Sequence, residues 1–296
     1  MQNVQWIQQL VMALLLSSMM LAMGMRLSTT ALLGVLRRRA LLAHAVVANF
    51  VVLPAAAVGI VVALDVPAGP ASGILLCAAA PGATMTTLLS RNARADVPTA
   101  VGLLLVLVGL SVVLTPVITA LSIRAAGGEG AAISTVGAIS TLVAFQLLPL
   151  LVGMTLHARR PDIAQRWEPR VARVATIMLM TIVIGYTATH IHLLLENGPA
   201  TLIAITAFVA LATVVGFTGP GDRQTRVSST FATGAQNIAL GTVLAERYLE
   251  PEGLLSVLIF GLITYLILLP LVPAMRRYIG PAATAPGGAG GGAPDH

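Results

Sequence analysis

The chain has 296 residues, of which 57% are hydrophobic and 9% are charged, and its formal net charge is +6. A typical soluble domain is about 25% charged, so this composition excludes an ordinary soluble enzyme. The positive charge does not indicate nucleic-acid binding, because the arginines are scattered over short segments between apolar runs. We predict an all-α integral membrane protein, embedded in the lipid bilayer and without a nucleic-acid partner.

Nine apolar runs are long enough to cross a bilayer, which requires about 20 residues each. They lie, in chain order, near residues 6–26, 40–64, 70–91, 97–123, 133–157, 172–195, 199–218, 227–249 and 252–276. Together they predict a single transmembrane domain over residues 1–279. The Pro-, Gly- and Ala-rich stretch 280–296 is predicted to be a disordered cytoplasmic tail.

The arginines set the orientation of the nine predicted helices. All 17 basic residues are arginine, and only Arg124 and Arg247 fall on the side opposite to the others. Basic residues next to membrane helices favour the cytoplasm, which predicts a multi-pass plasma (inner) membrane protein with its N-terminus outside and its C-terminus cytoplasmic. The first run has no basic residue before it, which favours a retained helix over a cleaved signal peptide.

Two of the apolar runs are interrupted at their centres by small and polar residues. In the third run, Pro81 and Gly82 are followed by the hydroxyl residues Thr84, Thr86 and Thr87. Proline removes a helical N–H donor, and unpaired backbone groups are costly in hydrocarbon. This pattern predicts a broken helix that lines a cavity.

The eighth run contains a matching irregularity, in which Gly234 is followed by Ala235, Gln236 and Asn237. Two adjacent amides cannot face the same neighbour, so at least one points to a cavity or to a crossing helix; interhelical hydrogen bonding alone is the alternative explanation. Interrupted segments in two halves are typical of inverted-repeat secondary transporters, whose half-helix N-termini suit anions. The residues predicted to bind a small or amphipathic organic anion are Thr84, Thr86, Thr87, Gly234, Gln236 and Asn237.

Both interruptions resemble motifs of the bile acid:sodium symporter family, within the bile/arsenite/riboflavin transporter superfamily. Residues 81–87 with Asp96 are similar to its Pro-Gly-Gly-x-x-Ser-Asn segment and later acidic residue, and residues 233–237 are similar to its Glu-Thr-Gly-x-Gln-Asn motif. The resemblance covers nearly the whole chain and implies alternating access between a panel domain and a core domain, with helices three and eight crossing at the centre. It places in the panel the helices near 6–26, 133–157 and 172–195, and the other six in the core.

The resemblance also implies sodium as a coupling ion, but the chain departs from the family's sodium sites. At the corresponding positions it has Thr86, Thr87, Ala100, Leu104, Asn49 and, in place of a glutamate, Ala232. No acidic residue falls at a predicted membrane centre. We expect at most a weaker sodium site, formed by Asn49, Gln236 and the backbone carbonyls of Thr233 and Ala235. Transport down the substrate's own gradient is the alternative, and no other cofactor is expected.

Other solutes and other functions remain as alternatives at this point. A permease of the same superfamily for another solute, such as arsenite or an auxin, would keep the fold. A membrane-embedded enzyme or sensor is disfavoured, because the sequence has no zinc-protease motif and no soluble output domain. Proton coupling has little support, since His44, His157, His190 and His192 fall near predicted helix ends. We predict a transporter and not an enzyme.

Several further residues have two interpretations. The single cysteine, Cys77, cannot form an internal disulfide and is expected to be a small packing residue. Asp96 is expected to form a solvated cytoplasmic turn with Arg91 and Arg94, and the alternative is that it braces the end of helix three. The methionines that either line an adaptable apolar pocket or simply pack in helix one are Met19, Met20, Met23 and Met25.

Overall fold

The structure, a computed structural model, describes residues 2–27, 29–128, 134–190, 192 and 198–280. The helices are α1 (Gln2–Arg26), α2 (Thr29–Arg37), α3 (Arg39–Val47), α4 (Leu53–Ala63), α5 (Ala68–Ala78), α6 (Met85–Asn92), α7 (Val97–Ala125), α8 (Thr135–Leu142), α9 (Leu148–Arg159), α10 (Pro161–Thr189), α11 (Gly198–Phe217), α12 (Arg223–Gly234), α13 (Ile238–Tyr248) and α14 (Pro251–Ile279). Within these described ranges there is no β-strand, which confirms the all-helical prediction.

Six stretches of the described chain are long and apolar enough to cross a membrane. They are residues 39–63, 97–125, 135–159, 161–189, 199–217 and 251–279. Helices α1 and α2 are bent by 82° relative to each other and make a seventh candidate if they are taken as one span. The two predicted broken helices are not among these six, because each is split into two shorter helices.

Two differences from the predicted helices are the largest: an additional helix, α2, and the start of α10. Helix α2 lies between the first two predicted runs, in a segment that was placed in no membrane span. Helix α10 begins at Pro161 and not near residue 172. Proline is favourable at the first helical position, and Asp162 places a negative charge in the first turn, where the helix dipole favours it. The end of predicted helix six, residues 193–195, and the tail beyond Gly280 lie outside the described residues.

Two π-helical turns, Ala48–Val52 and Val143–Leu147, join α3 to α4 and α8 to α9. Each is followed by a helix with a proline in its first turn, Pro54 or Pro149. A proline ring collides with the carbonyl one turn earlier, and the wider π-turn accommodates it. The turns contain two completely buried amide residues, Asn49 and Gln146.

Helices α1, α9 and α10 pack against one another as a group. A Cβ added at Gly24 of α1 would lie 2.2 Å from the carbonyl oxygen of Leu150, and one added at Gly153 of α9 would lie 2.4 Å from that of Leu21. Only glycine at both positions therefore permits this close approach of the two backbones. The contact makes α1 and α9 a tightly joined pair.

The central hydrophobic cluster is formed mainly by α1, α4, α5, α7, α11, α13 and α14. Cys77 of α5 belongs to this cluster and is completely buried. A Cβ added at Gly241 of α13 would lie 3.6 Å from its Sγ atom, an ordinary packing distance. The cysteine therefore lies where a packing residue is expected.

Candidate functional site

The two predicted interruptions are present and lie against each other. The first separates α5 from α6 and the second separates α12 from α13. Pro81 and Gln236 form an isolated antiparallel β-bridge. The backbone N–H of Asn237 donates to the carbonyl oxygen of Ala80 at 2.7 Å. The chain therefore brings its two irregular segments together at one place.

Local chemistry explains the first interruption. Pro81 has no N–H donor and disfavours helical backbone at the residue before it. Gly82 has φ +102°, in the region that favours glycine, and a Cβ there would lie 2.4 Å from Cγ2 of Val108. The hydroxyl of Thr115 in α7 donates to the carbonyl oxygen of Ala79 at 2.6 Å. Carbonyls released at the end of α5 are thus paired by α7 and by the second interruption.

The second interruption holds its polar side chains in buried positions. Asn237 caps α13, because its Oδ1 accepts from the N–H of Leu240 at 3.1 Å. Gln236 donates from Nε2 to the carbonyl oxygen of Thr233 at 3.1 Å. Within the described structure, Nδ2 of Asn237 and Oε1 of Gln236 have no hydrogen-bond partner. Gly234 packs near Thr213 and adds no polar side chain.

Three of the predicted sodium-site residues form one hydrogen-bonded group. Nδ2 of Asn49 donates to Oγ1 of Thr233 at 3.2 Å and to the carbonyl oxygen of Ala45 at 2.8 Å. Both Asn49 and Gln236 are therefore bonded to Thr233, and the amide oxygens of both are buried without a partner among the described residues. An unpaired buried acceptor costs about 1–3 kcal/mol. Hard oxygen atoms suit a hard cation such as sodium, and this group offers two of them without a protein donor among the described residues.

Three of the remaining family sodium positions, Ala100, Leu104 and Ala232, are apolar here. Ala232 is buried in a cluster with Val35, Leu41, Ala45 and Leu103, where the resemblance implies a glutamate. Ala100 and Leu104 are also buried and offer no side-chain oxygen. Over the described ranges, no three His, Cys, Asp or Glu residues group as metal ligands. A cation at this place would have only neutral oxygen ligands.

A cavity of about 370 Å³ lies between α1 and α10 on one side and α6, α7 and α14 on the other. Its polar lining residues are Arg26, Thr84, Thr87, Glu168, Thr176 and Tyr265. Its apolar lining includes Met19, Met23, Met85, Leu104, Leu179 and Met180. No side chain caps the N-terminus of α6, which follows Thr84 directly. The cavity is amphipathic and has a helix N-terminus in its wall.

The predicted binding residues divide between this cavity and the paired interruptions. Thr84 and Thr87 line the cavity. Thr86 is fully buried and donates from its hydroxyl to the carbonyl oxygen of Phe231 at 3.2 Å, so it joins α6 to α12 instead. Gly234, Gln236 and Asn237 lie at the second interruption and do not line the cavity. Of the four methionines, Met19 and Met23 line it.

Sequence reasoning missed a charged pair in the cavity wall. Nε of Arg26, at the end of α1, forms an ion pair with Oε1 of Glu168 in α10. Glu168 lies in the gap between the fifth and sixth predicted runs, because the sixth was predicted to begin near residue 172. The signal that could have found it is the Pro161-Asp162 helix start. Tyr265 of α14 was also missed, because nothing in its sequence context distinguishes it.

A second polar group ties together the helix ends on the arginine-rich side. Nη1 of Arg38 donates to Oδ2 of Asp96 at 3.2 Å, to Oγ1 of Thr99 at 2.9 Å and to Oγ1 of Thr225 at 3.2 Å. Asp96 also caps α7, and its carbonyl oxygen accepts from Ser228 of α12 at 2.7 Å. Asp96 therefore braces the start of α7 against α12, and not the end of helix three.

The family model described as the Sodium Bile acid symporter family matches residues 13–197, well over half of the chain. The chain belongs to this family. The family resemblance is thereby confirmed, with residues 81–87 inside the matched range and residues 233–237 beyond it. Membership of the sodium bile acid symporter family identifies the chain as one of a family of sodium-dependent transporters.

Individual relatives agree with this assignment. The chain is 25% identical over 252 residues to "Probable sodium/metabolite cotransporter BASS3, chloroplastic" of Arabidopsis thaliana, an alignment that covers 82% of the chain and 57% of the relative. It is 22% identical over 260 residues to "Uncharacterized sodium-dependent transporter YocS" of Bacillus subtilis (strain 168), covering 86% and 79%. A probable sodium/metabolite cotransporter BASS1 of Oryza sativa subsp. japonica is 23% identical over 247 residues, covering 82% and 60%. The chain thus spans less than two thirds of both plant relatives.

Proposed function

We propose that the protein is a secondary transporter of a small or amphipathic organic anion, which binds in the cavity between α1, α10 and α6. The observation that carries this proposal is the composition of the cavity wall. Apolar side chains cover most of it, while Thr84 and Thr87 lie at the uncapped N-terminus of α6. A helix N-terminus offers free N–H donors and partial positive charge to an anion. The apolar wall suits the body of the same molecule.

The packing supports alternating access between two units. The panel corresponds to four helices, α1, α8, α9 and α10. The core corresponds to the remaining helices. Seven candidate spans, with the two interrupted segments added, give the nine crossings of the proposed topology. The cavity lies at the boundary between the two units, where rocking of the panel would open and close it. We place the carrier in the plasma membrane with its C-terminus in the cytoplasm, from the arginine distribution.

Sodium is proposed as the coupling ion, held at one weak site by Asn49, Thr233, Gln236 and the backbone carbonyl of Ala235. Support comes from the two unpaired amide oxygens joined through Thr233. With Ala232 in an apolar cluster, no carboxylate neutralises the ion there. Moving a cation into a buried site without a counter-charge is costly, so affinity for sodium is low.

Uptake by purified protein in liposomes tests the proposal. The substrates tested are labelled cholate, pantothenate and 2-oxo acids. Uptake of each is measured with an inward sodium gradient and with choline in place of sodium as the control. We expect accumulation of at least one anion that is faster with sodium. Equal uptake in both conditions that stops at equilibration would contradict sodium coupling and leave a uniporter. No uptake of any anion would contradict the substrate class and redirect the search to neutral solutes such as arsenite.

A further inference from the structure

The Arg26 guanidinium is only partly used by the contacts that the structure shows. Its Nε pairs with Glu168, and half of its side chain remains exposed. A guanidinium carries five N–H donors in a planar fork that matches the geometry of an oxyanion. One edge of Arg26 is therefore available to a further acceptor.

The two members of the pair differ in their surroundings. The side chain of Arg26 is 50% exposed, whereas that of Glu168 is 13% exposed, and both line the cavity. A sheltered carboxylate with one cationic partner is costly to separate from it. Glu168 therefore holds the guanidinium at the cavity, while the free edge of Arg26 stays accessible.

The remaining wall fits a molecule with one charged end. Met19, Met23 and Leu179 provide an apolar surface on the same two helices that carry the charged pair. Arg26 is the only cationic residue in the lining that the structure describes. An anion that enters this cavity therefore meets one cationic side chain, in addition to the N-terminus of α6, and an extended apolar wall.

We propose that Arg26 determines specificity by receiving the oxyanion of the substrate, and that Glu168 is a positioning residue that competes with the substrate for Arg26. The inference rests on the proposed function and deepens it. The substrate class is an amphipathic carboxylate or sulfonate, with the charged group at Arg26 and the apolar body along α1 and α10. Between substrates, Glu168 neutralises the guanidinium.

The two residues predict effects of opposite sign. Glu168→Gln removes the competing charge and keeps the side-chain shape, so KM for an anionic substrate falls. Loss of Arg26 removes a charge-assisted hydrogen bond, so KM rises about tenfold or more with a smaller change in kcat. An ion pair that only joined α1 to α10 would weaken transport in both variants alike.

The effect of Arg26 alone is measured by comparing Glu168→Gln with the double variant Arg26→Gln/Glu168→Gln. Arg26→Gln alone would leave a sheltered carboxylate without a partner and risks misfolding, whereas both compared proteins lack that carboxylate. The control is Arg170→Gln. Arg170 is exposed on α10, the helix that carries Glu168, and it does not line the cavity. Its Cζ atom lies 5.3 Å from the centroid of the Trp167 ring. This substitution removes one positive charge from the same side of the protein.

The measurements are KM and kcat for labelled cholate, pantothenate and pyruvate in liposomes, and the rise in Tm that each probe produces in detergent. We expect the double variant to bind the probes about tenfold or more weakly than Glu168→Gln, while Glu168→Gln and Arg170→Gln keep probe binding. Equal KM in Glu168→Gln and the double variant would overturn the role of Arg26 and leave the proposed function standing. A wild-type protein that neither transports nor binds any probe would overturn the proposed function and this inference together.

Discussion

The backbone N–H of Asn237 donates to the carbonyl oxygen of Ala80 at 2.7 Å, and this bond joins the two interrupted segments. Each group is released by the interruption of its own helix. In hydrocarbon an unpaired backbone group costs several kcal/mol, so each interruption stabilises the other. A substitution that disrupts one interrupted segment should therefore destabilise the other as well.

The double variant Gln236→Ala/Asn237→Ala should abolish uptake while leaving a folded protein. It removes two buried amides with unpaired atoms, and loss of the α13 cap costs only about 1 kcal/mol. Uptake in liposomes and Tm in detergent measure the two effects separately. Asn237→Ser, which keeps a capping hydroxyl, is the control for stability. Wild-type uptake by the double variant would remove the interruptions from the transport mechanism.

Gly82→Ala should lower the free energy of unfolding by about 1–3 kcal/mol, because it places a side chain at positive φ. The new Cβ also meets Cγ2 of Val108, so adding Val108→Ala should restore only part of the loss. Gly59→Ala is a matched control, since a Cβ there has no heavy atom within 4 Å and α4 favours alanine. Thermal unfolding of the purified variants measures these effects. A Gly82→Ala protein with the wild-type Tm would show that alanine at residue 82 causes no backbone strain.

Sodium chloride should raise the Tm of the wild-type protein relative to choline chloride at equal ionic strength, and Asn49→Leu should lose this rise. A ligand that binds only the folded state stabilises it, and Asn49 supplies one of the unpaired oxygens. Gln146→Leu is the control, because Gln146 is also a buried amide in a π-turn with an unpaired oxygen but is bonded to Val108 and Ser111. It should keep the sodium response. An unchanged response in Asn49→Leu would exclude the site.

Asp222 should contribute a pH-dependent stabilisation at the start of α12. The backbone N–H of Thr225, and then its hydroxyl, lower the pKa of the Asp222 carboxyl. A lowered folded-state pKa stabilises the protein above the unfolded value of about 3.9 and loses this effect as the pH falls through the folded value. Asp222→Ala should therefore lower Tm at pH 7 and have a smaller effect in acid.

Asp222→Asn is the control for this prediction, because asparagine also caps helices but does not titrate. Its difference from the wild-type protein should be smaller than that of Asp222→Ala at pH 7. A Tm difference for Asp222→Ala that stays constant from pH 7 into acid would show that capping, and not charge, is responsible.

The interruptions could be predicted from sequence because Pro81, Gly82, Gln236 and Asn237 stand out in apolar runs. The orientation of the neighbouring side chains could not be predicted from sequence. Thr87 lines the cavity, whereas the adjacent Thr86 bonds to α12, and this difference depends on a helix rotation that only packing determines. The ion-site group was predicted through the family resemblance, and its hydrogen bonds to Thr233 required the structure.

The ion pair between Arg26 and Glu168 was not predicted, because the start of α10 was placed near residue 172 and not at Pro161. Five arginines between residues 159 and 173 gave that segment the composition of a loop, although it forms the start of α10. Their side chains are solvated on the exposed face, so the helix tolerates them. Only the position of α10 beside α1 shows that Glu168 faces Arg26.

Complete burial of Cys77 has a practical consequence. Thiol reagents attack an accessible thiolate, so the native protein should be almost unreactive toward maleimides. A cysteine introduced at Thr176 or Met180 in the cavity wall would then be the single labelling position, with no need to replace Cys77 first. The rate of labelling with and without substrate would report opening of the cavity in an otherwise native carrier.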